Sequence, residues 1–390
     1  MEGSGPSLPW QATRHGIDGA MPSRQAALCH LRAAWRRVTS RVALKLLCRT
    51  ETLIPRFVFR VGHTTHRESH SIFIRIEDRD GFTGHGEAVP SRFFGETADD
   101  TRDKLLRAAG WLRGLSVRSV ADLEAAWHEA WRVVQPSRSA QCALDVALWD
   151  LLARREGRSV AELAWGKKPR ALHSFATIGI SEEHEIEAKL AELHGHPLIK
   201  IKMDHRADLD AVRRVRERFD ATIAVDANGA WTADDLRALI PPLADLGVLF
   251  IEQPLPRDRD AEMEPFAREP RLPLIADESC ATLEQVEQMP GRFSGFNIKI
   301  GKCGGLTPAL AMVRRARTLG LKVMAGCRLE SSLNIAAAAV VAQGADYADL
   351  DGAWLLGNDP FRGLPFDAGV LTPGDAPGFG VQPPDDFFAE

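Results

Sequence analysis

The chain has 390 residues, 45% of them hydrophobic and 26% charged, with 49 basic against 53 acidic side chains and a formal net charge of -4. This length predicts two or three domains, the composition excludes a disordered or collagen-like chain, and the charge balance leaves no footprint for nucleic acid. No apolar run approaches the roughly 18 residues of a membrane span, and six cysteines without a CxxC or zinc pattern point to reduced thiols in a cytosolic protein.

Residues 1–40 read as an N-terminal extension, with Gly, Pro and Ser first and then a basic, acid-poor helical stretch near 26–38. The basic, acid-poor composition allows a targeting peptide, though without the continuous apolar region of a secretory signal; a disordered tail or a misassigned start is the favoured reading. Residues 41–165 read as an α+β unit. Strand character runs over 42–48, 57–61 and 71–76, the last ending in the turn Asp78-Arg79-Asp80-Gly81. Helices are predicted over 97–115, with Thr97 as N-cap, over 120–133 and over 140–154. The third is apolar nearly all round, as a buried helix should be.

The texture changes over 166–354. Eight β-rich runs, at 174–180, 199–203, 222–226, 249–252, 274–277, 296–300, 322–325 and 347–351, alternate with helical patterns such as 208–219, 233–243 and 307–319. Strict alternation implies parallel strands with right-handed crossovers. Eight strands favour an α/β fold closed into a TIM-like barrel over an open sheet. Residues 355–390 are rich in Gly, Pro and Asp and are expected to return to the first domain.

Barrel enzymes carry their chemistry at the C-terminal strand ends. Here those ends read Lys200 and Lys202; Asp226 and Asn228; Glu252; Asp277 and Glu278; Lys299; Cys327 with Glu330; and Asp349 with Asp351. Asp226, Glu252 and Asp277 close three successive strands, which lie about 4.8 Å apart in a sheet. Any one of them could cap the helix that follows. Three together repel unless a cation sits among them, and hard oxygen ligands suit Mg²⁺.

Only 10 of the 49 basic residues are lysines, and lysine, unlike arginine, can give up its proton. Lys200 and Lys202 share one strand face by their i, i+2 spacing; Lys299 lies four strands on, across the mouth. Two amines facing each other over a metal-bound ligand suit proton removal next to a carboxylate, with the metal stabilising an enediolate. Lys302, past its strand, fits a binding role and a loop role equally.

The motifs Lys-Ile-Lys (200–202), Val-Asp-Ala-Asn-Gly-Ala-Trp (225–231), Ile-Glu-Gln-Pro (251–254), Ala-Asp-Glu-Ser (276–279), Asn-Ile-Lys-Ile-Gly-Lys-Cys-Gly-Gly (297–305) and Gly-Cys-Arg-Leu-Glu-Ser (326–331) give the chain a resemblance to the enolase superfamily, muconate-lactonising subgroup. It covers about residues 42–370, including Gly84-His85-Gly86-Glu87 and Phe93-Phe94-Gly95-Glu96-Thr97. The resemblance implies an α+β capping domain over a (β/α)₇β barrel. It implies Asp226, Glu252 and Asp277 as Mg²⁺ ligands, and Lys202 and Lys299 as the acid/base pair, with Lys200 assisting.

Asp-Leu-Asp-Gly at 349–352 resembles the paired aspartates with which dipeptide epimerases hold a substrate ammonium, for which two carboxylates on one strand face are apt; capping the last turn is their other reading. The implied reaction is two-base epimerisation of a dipeptide's C-terminal residue, with L-Ala-D/L-Glu the first candidate and cell-wall peptide recycling the setting. Lys302, Cys327, Arg328 and Glu330 complete the expected substrate-contacting set with Asp349 and Asp351.

Specificity departs from the resemblance. Relatives that select an acidic side chain often carry an Arg where this chain has Gly62-His63-Thr64-Thr65-His66-Arg67, leaving Arg60 or Arg67 as substitutes. Arg328 follows Cys327 where many relatives have Met; pairing with an acidic substrate and facing solvent weigh equally. Loops 63–68 and 92–95 are expected to cover the mouth. An N-acylamino-acid racemase or cycloisomerase, a Schiff-base lysine enzyme and a non-catalytic metal- or peptide-binding protein are the competing readings. Homo-oligomerisation is left open by the sequence.

Overall fold

The computed structural model describes residues 44–61, 64–179, 183–268 and 270–389. The extension expected over 1–40, with its helical stretch, lies outside them, as does His63 of the loop expected at the mouth.

The first domain is an antiparallel sheet under three helices. Strand β1 (Lys45–Leu53) leads through the small hairpin of β2 (Phe59–Val61) and β3 (Thr64–His66) to β4 (Ser69–Glu77) and β5 (Thr83–Ala88). β4 pairs with both β1 and β5. Helices α1 (Ala98–Leu112), α2 (Val120–Val134) and α3 (Arg138–Glu156) follow. Thr97 caps α1 as expected, its hydroxyl accepting from the Asp100 amide. In α3 every residue from 139 to 153 is buried.

Strand β5 is among the elements that the sequence reading did not assign. Its glycines disfavour a strand by propensity, yet they are what brings α3 onto the sheet. A Cβ on Gly84 would lie 2.1 Å from the Ala147 carbonyl oxygen, and one on Gly86 2.0 Å from that of Ala143. Gly86→Ala is therefore expected to lower stability by about 1–3 kcal/mol, the usual cost of overpacking. An unchanged urea midpoint would contradict this account of the close approach.

After α4 (Val160–Trp165) and the short β6 (Leu172–His173), eight parallel strands follow in chain order: β7 (Ala176–Ile178), β8 (Leu198–Lys202), β9 (Thr222–Asp226), β10 (Val248–Glu252), β11 (Leu274–Ala276), β12 (Gly295–Lys299), β13 (Lys322–Gly326) and β14 (Tyr347–Asp349). All eight predicted runs are present. The crossovers carry α5 (Glu183–Glu192), α6 (Leu209–Arg218), α7 (Ala233–Asp245), α8 (Glu264–Arg268), a 3₁₀ turn, α9 (Ile300–Cys303) with α10 (Leu306–Leu319), and α11 (Ser332–Ala342). Phe175 N donates to Ala348 O at 2.9 Å, joining the first strand to the last. Phe175, Ala224, Phe250, Ile275 and Met324 fill the interior as a buried apolar plug. Polar side chains therefore collect above it, at the C-terminal ends.

The C-terminal residues include a short hairpin of β15 (Phe366–Asp367) and β16 (Val370–Leu371), with β16 paired to β6. They then run back over the first domain. Phe361 stacks on Phe73 with ring centroids 5.5 Å apart, Phe387 meets Phe73 edge-to-face at 5.4 Å, and Arg49 donates to the Phe387 carbonyl at 2.7 Å. Phe379 N donates to Asp150 of α3 at 3.1 Å. No helix among the described residues is long and apolar enough to cross a membrane.

Candidate active site

Lys202, Asp226 and Glu252 end adjacent strands in register, and so do Lys299, Gly326 and Asp349. β8 and β12 are four strands apart in an eight-stranded barrel, so Lys202 and Lys299 occupy opposing walls. Asp226, Glu252 and Asp277 are almost wholly buried between them, with 0–1% exposure. Lys202 Nζ lies 2.5 Å from Asp226 Oδ2. Lys200 Nζ lies 3.2 Å from Glu252 Oε2 and 3.7 Å from Asp226 Oδ2, and also bonds Asp349. Lys299 Nζ lies 2.7 Å from Asp277 Oδ2.

The charges are strongly interdependent. Burial alone would raise the Asp277 carboxyl, but Lys299 and Lys302 outweigh it and hold the group well below the usual carboxylate range. Asp226 is likewise lowered against burial, by Lys202 and Lys200. Glu252 is pushed up to about 8, first by burial and then by the charge of Asp226, with Lys200 opposing. Burial disfavours the Lys299 ammonium, yet Asp277 and Glu252 hold it above the ordinary lysine value.

Does this set suit a metal? Among the described residues, no three carboxylate, imidazole or thiol groups are already gathered at ligating distance; each of the three strand-end carboxylates bonds a lysine ammonium or, for Glu252, an amide as well. The donor chemistry fits nonetheless. All three are hard oxygen donors on adjacent strand ends, and beside them Glu278 Oε2 is buried without a hydrogen-bond partner. Excess buried carboxylate oxygen of this kind suits Mg²⁺.

Supporting residues fix these groups. Asn297 Nδ2 donates to Glu252 Oε1 at 2.7 Å. A Cβ on Gly326 would meet Asn297 Oδ1 at 2.3 Å, so a glycine faces that amide. Lys302 donates to the Asp277 carboxylate, to the Asp277 carbonyl at 2.6 Å and to the Asn297 carbonyl at 3.3 Å. These bonds make Lys302 a brace for Asp277. Asp351 Oδ2 accepts from Thr177 N at 2.6 Å, and Asp349 Oδ1 accepts from the Thr177 hydroxyl at 3.4 Å. Burial and the neighbouring Asp349 charge raise the Asp351 carboxyl to about 6.

Residues 45–164 match the mandelate racemase / muconate lactonizing enzyme N-terminal domain, and residues 184–387 match the enolase C-terminal domain-like family. The chain belongs to this enolase-like family. It is 36% identical over 328 residues to the L-Ala-D/L-amino acid epimerase of Maribacter sp., covering 82% of this chain and 96% of the relative. It is 34% identical over 317 residues to the L-Ala-D/L-Glu epimerase of Escherichia coli, covering 80% and 94%. The dipeptide epimerase of Methylococcus capsulatus, solved with Mg and the dipeptide L-Arg-D-Lys, superposes with a TM-score of 0.80 at 32% identity, covering 87% of this chain and 99% of that one.

At the rim of this enolase-like site Arg328 is half-buried: Nη1 donates to Val89 O at 2.9 Å, and its guanidinium lies 5.5 Å over the Phe94 ring. It ties the barrel to the 92–95 loop. Glu330 is buried, accepting from Arg328 N at 3.1 Å and from Asn334 Nδ2 at 2.9 Å. The half-buried Cys327 packs its sulfur against Gly352. Thr177 and Asn297 were not foreseen. Asn297 carried a signal, two residues before Lys299 and hence on the same strand face; Thr177 carried none.

Glu87 joins the two domains. It accepts from Ser71 Oγ at 2.8 Å, and from Ser331 Oγ at 2.6 Å at the start of α11. Burial, and secondarily Glu330, push its carboxyl from the ordinary 4.5 up to about 8. The folded state then keeps a proton that the unfolded state has lost between those pH values. Stability should fall as pH rises through that window, by up to about 1.4 kcal/mol per pH unit for one proton. Glu87→Gln should flatten that slope in urea titrations at pH 5 to 8; an unaltered slope would assign it to other groups.

Proposed function

We infer that this protein is a Mg²⁺-dependent dipeptide epimerase acting by 1,1-proton transfer. The observation that carries the reading is the pair of opposed lysines, Lys202 and Lys299, flanking three buried carboxylates, with an aspartate pair across the mouth. Mg²⁺ held by Asp226, Glu252 and Asp277 supplies positive charge that acidifies the carbon next to the substrate carboxylate. Lys202 Nζ exchanges a proton with one face of that carbon and Lys299 Nζ with the other, which inverts the centre. Lys200, buried among Glu252, Asp226 and Asp349, is a fixed ammonium on the Lys202 side.

Asp349 and Asp351 supply the clamp for the substrate ammonium, oriented by Thr177, which donates to both carboxylates. This favours a free dipeptide over the N-acylamino acid of the sister racemases, which has no ammonium to offer. Asp351→Ala should raise KM about 10- to 100-fold, the usual worth of a charge-assisted hydrogen bond, with a smaller change in kcat. An unchanged preference for free over N-acetylated dipeptides would remove the clamp.

The second residue's side chain is not decided by overall likeness, because relatives of similar identity are named for glutamate and were solved with lysine. A cytosolic place in peptide recycling accords with the reduced cysteines. The test is proton NMR in D₂O with Mg²⁺ and dipeptides such as L-Ala-L-Glu. Loss of the C-terminal α-proton signal with growth of the other diastereomer is expected; no exchange with any free dipeptide would refute the reading.

A further inference from the structure

We propose that Gln253 is a positioning residue for the metal: it fixes the ends of β10 and β11 against each other and so sets the spacing of the Glu252 and Asp277 carboxylates, without itself touching metal or substrate. This rests on the epimerase reading, in which those carboxylates hold Mg²⁺, and adds the group that spaces them. The backbone alone does little here. β10 and β11 are joined by only two residue pairs, Ile251 with Leu274 and Glu252 with Ile275. β11 ends at Ala276, so Asp277 lies beyond the ladder.

Past Glu252 the main chain turns away. Gln253 sits at φ 33°, a left-handed conformation that a non-glycine residue keeps only when its surroundings hold it. Its amide still donates to Ile275 O at 2.8 Å, but its carbonyl accepts from Gly229 N at 2.7 Å, on the β9 side. The side chain takes over the pairing with β11. Gln253 Oε1 accepts from Asp277 N at 2.8 Å and from Ser279 N at 3.2 Å. One residue therefore joins both ligands, by a peptide bond to Glu252 and by a hydrogen bond to the Asp277 amide.

The carboxamide can point only one way. Ser279 Oγ donates its proton to Asp260 Oδ1 at 2.7 Å, and an ionised carboxylate can only accept. The Ser279 oxygen is left as an acceptor. It takes one Gln253 Nε2 proton at 2.8 Å, and Leu255 O takes the other at 2.8 Å. The nitrogen thus faces two acceptors and the oxygen two N–H donors, which uses the whole hydrogen-bonding capacity of the amide. With 1% exposure, Gln253 has nothing left to offer a ligand. A hydrocarbon side chain in its place would leave the Asp277 and Ser279 N–H groups buried without acceptors, and the end of β11 free to shift against Glu252.

The test is calorimetric titration of Mg²⁺ into the full-length, metal-stripped enzyme without substrate. Wild type is compared with Gln253→Met, which keeps the length of the side chain and loses its hydrogen bonds, and with Gln253→Asn, which keeps the amide but is a methylene short. Gln253→Met should raise the Mg²⁺ dissociation constant about 10- to 100-fold, the usual worth of a group that orients a metal ligand. Gln253→Asn should move it in the same direction, and both should keep the wild-type binding stoichiometry. A merely structural role would act otherwise: a misfolded fraction lowers the stoichiometry and leaves the dissociation constant of the folded remainder unmoved. Kinetics give a second readout. The Mg²⁺ concentration for half-maximal kcat should rise in step with the dissociation constant, while KM for the dipeptide at saturating Mg²⁺ stays within about threefold of wild type. If Gln253→Met gives no folded protein, Gln253→Asn decides alone. A wild-type dissociation constant in the folded variants, or an effect confined to KM, would overturn the role of Gln253 and leave the epimerase reading intact. Failure of wild type to bind Mg²⁺ would overturn both.

Discussion

Lys299→Ala is expected to abolish interconversion of the two dipeptide diastereomers, and Lys202→Ala to do the same, each by at least about 10³-fold, within the range for loss of a positioned acid or base. Each variant should nevertheless retain deuterium exchange of one diastereomer, and the two variants should retain opposite ones. The reason is positional. Lys202 and Lys299 end strands on opposing walls, so each reaches only one face of the substrate carbon. Mass spectrometry of the recovered, unepimerised dipeptide in D₂O reads this exchange directly. Full epimerisation by either variant, or exchange of the same diastereomer in both, would end the two-base assignment.

Chelation with EDTA should eliminate epimerisation and α-proton exchange together, with recovery on adding Mg²⁺. Glu252→Gln should raise the Mg²⁺ dissociation constant at least about 100-fold by calorimetry, beyond the 10- to 100-fold typical of residues that only orient a ligand. The expectation follows from the setting of Glu252. It is wholly buried, adjacent in register to Asp226, and its carboxyl is pushed upward by burial and by that neighbour. Removing it takes away an oxygen donor that solvent cannot easily replace. A barrel enzyme that formed a Schiff base through lysine would behave oppositely: indifferent to chelator and trapped by borohydride.

The barrel was legible because its signals are local. β8 and β12 read Leu-Ile-Lys-Ile-Lys and Gly-Phe-Asn-Ile-Lys, so strand character and the polar terminus stand in one short run. The parallel alternation then places every such terminus on one rim. β5 was hidden because the reason for its glycines lies in α3, some sixty residues away. The role of Lys302 was hidden for a similar reason: its charge was visible, but not the Asp277 and Asn297 oxygens that surround it. Arg328 shows the same limit, since its partner is a backbone carbonyl in the other domain. Residue types and spacing indicated which groups could take part in the chemistry; they did not separate groups facing the substrate from those bracing its neighbours.

The join between β7 and β14 bears on how the site comes into being. Thr177 and Asp351 are separated by 174 positions in the chain, yet they share the hydrogen bond that orients one carboxylate of the aspartate pair. Contacts of such long sequence separation form only after a large loop-closure entropy has been met. The lysines and metal-ligand carboxylates of β8–β10 can assemble from neighbouring βα units. Asp351 gains its bond from Thr177 only when the last strand meets the first. A refolding chain should therefore acquire barrel-like secondary structure before it can retain a dipeptide, and ligand binding is the natural late-stage reporter of a finished barrel.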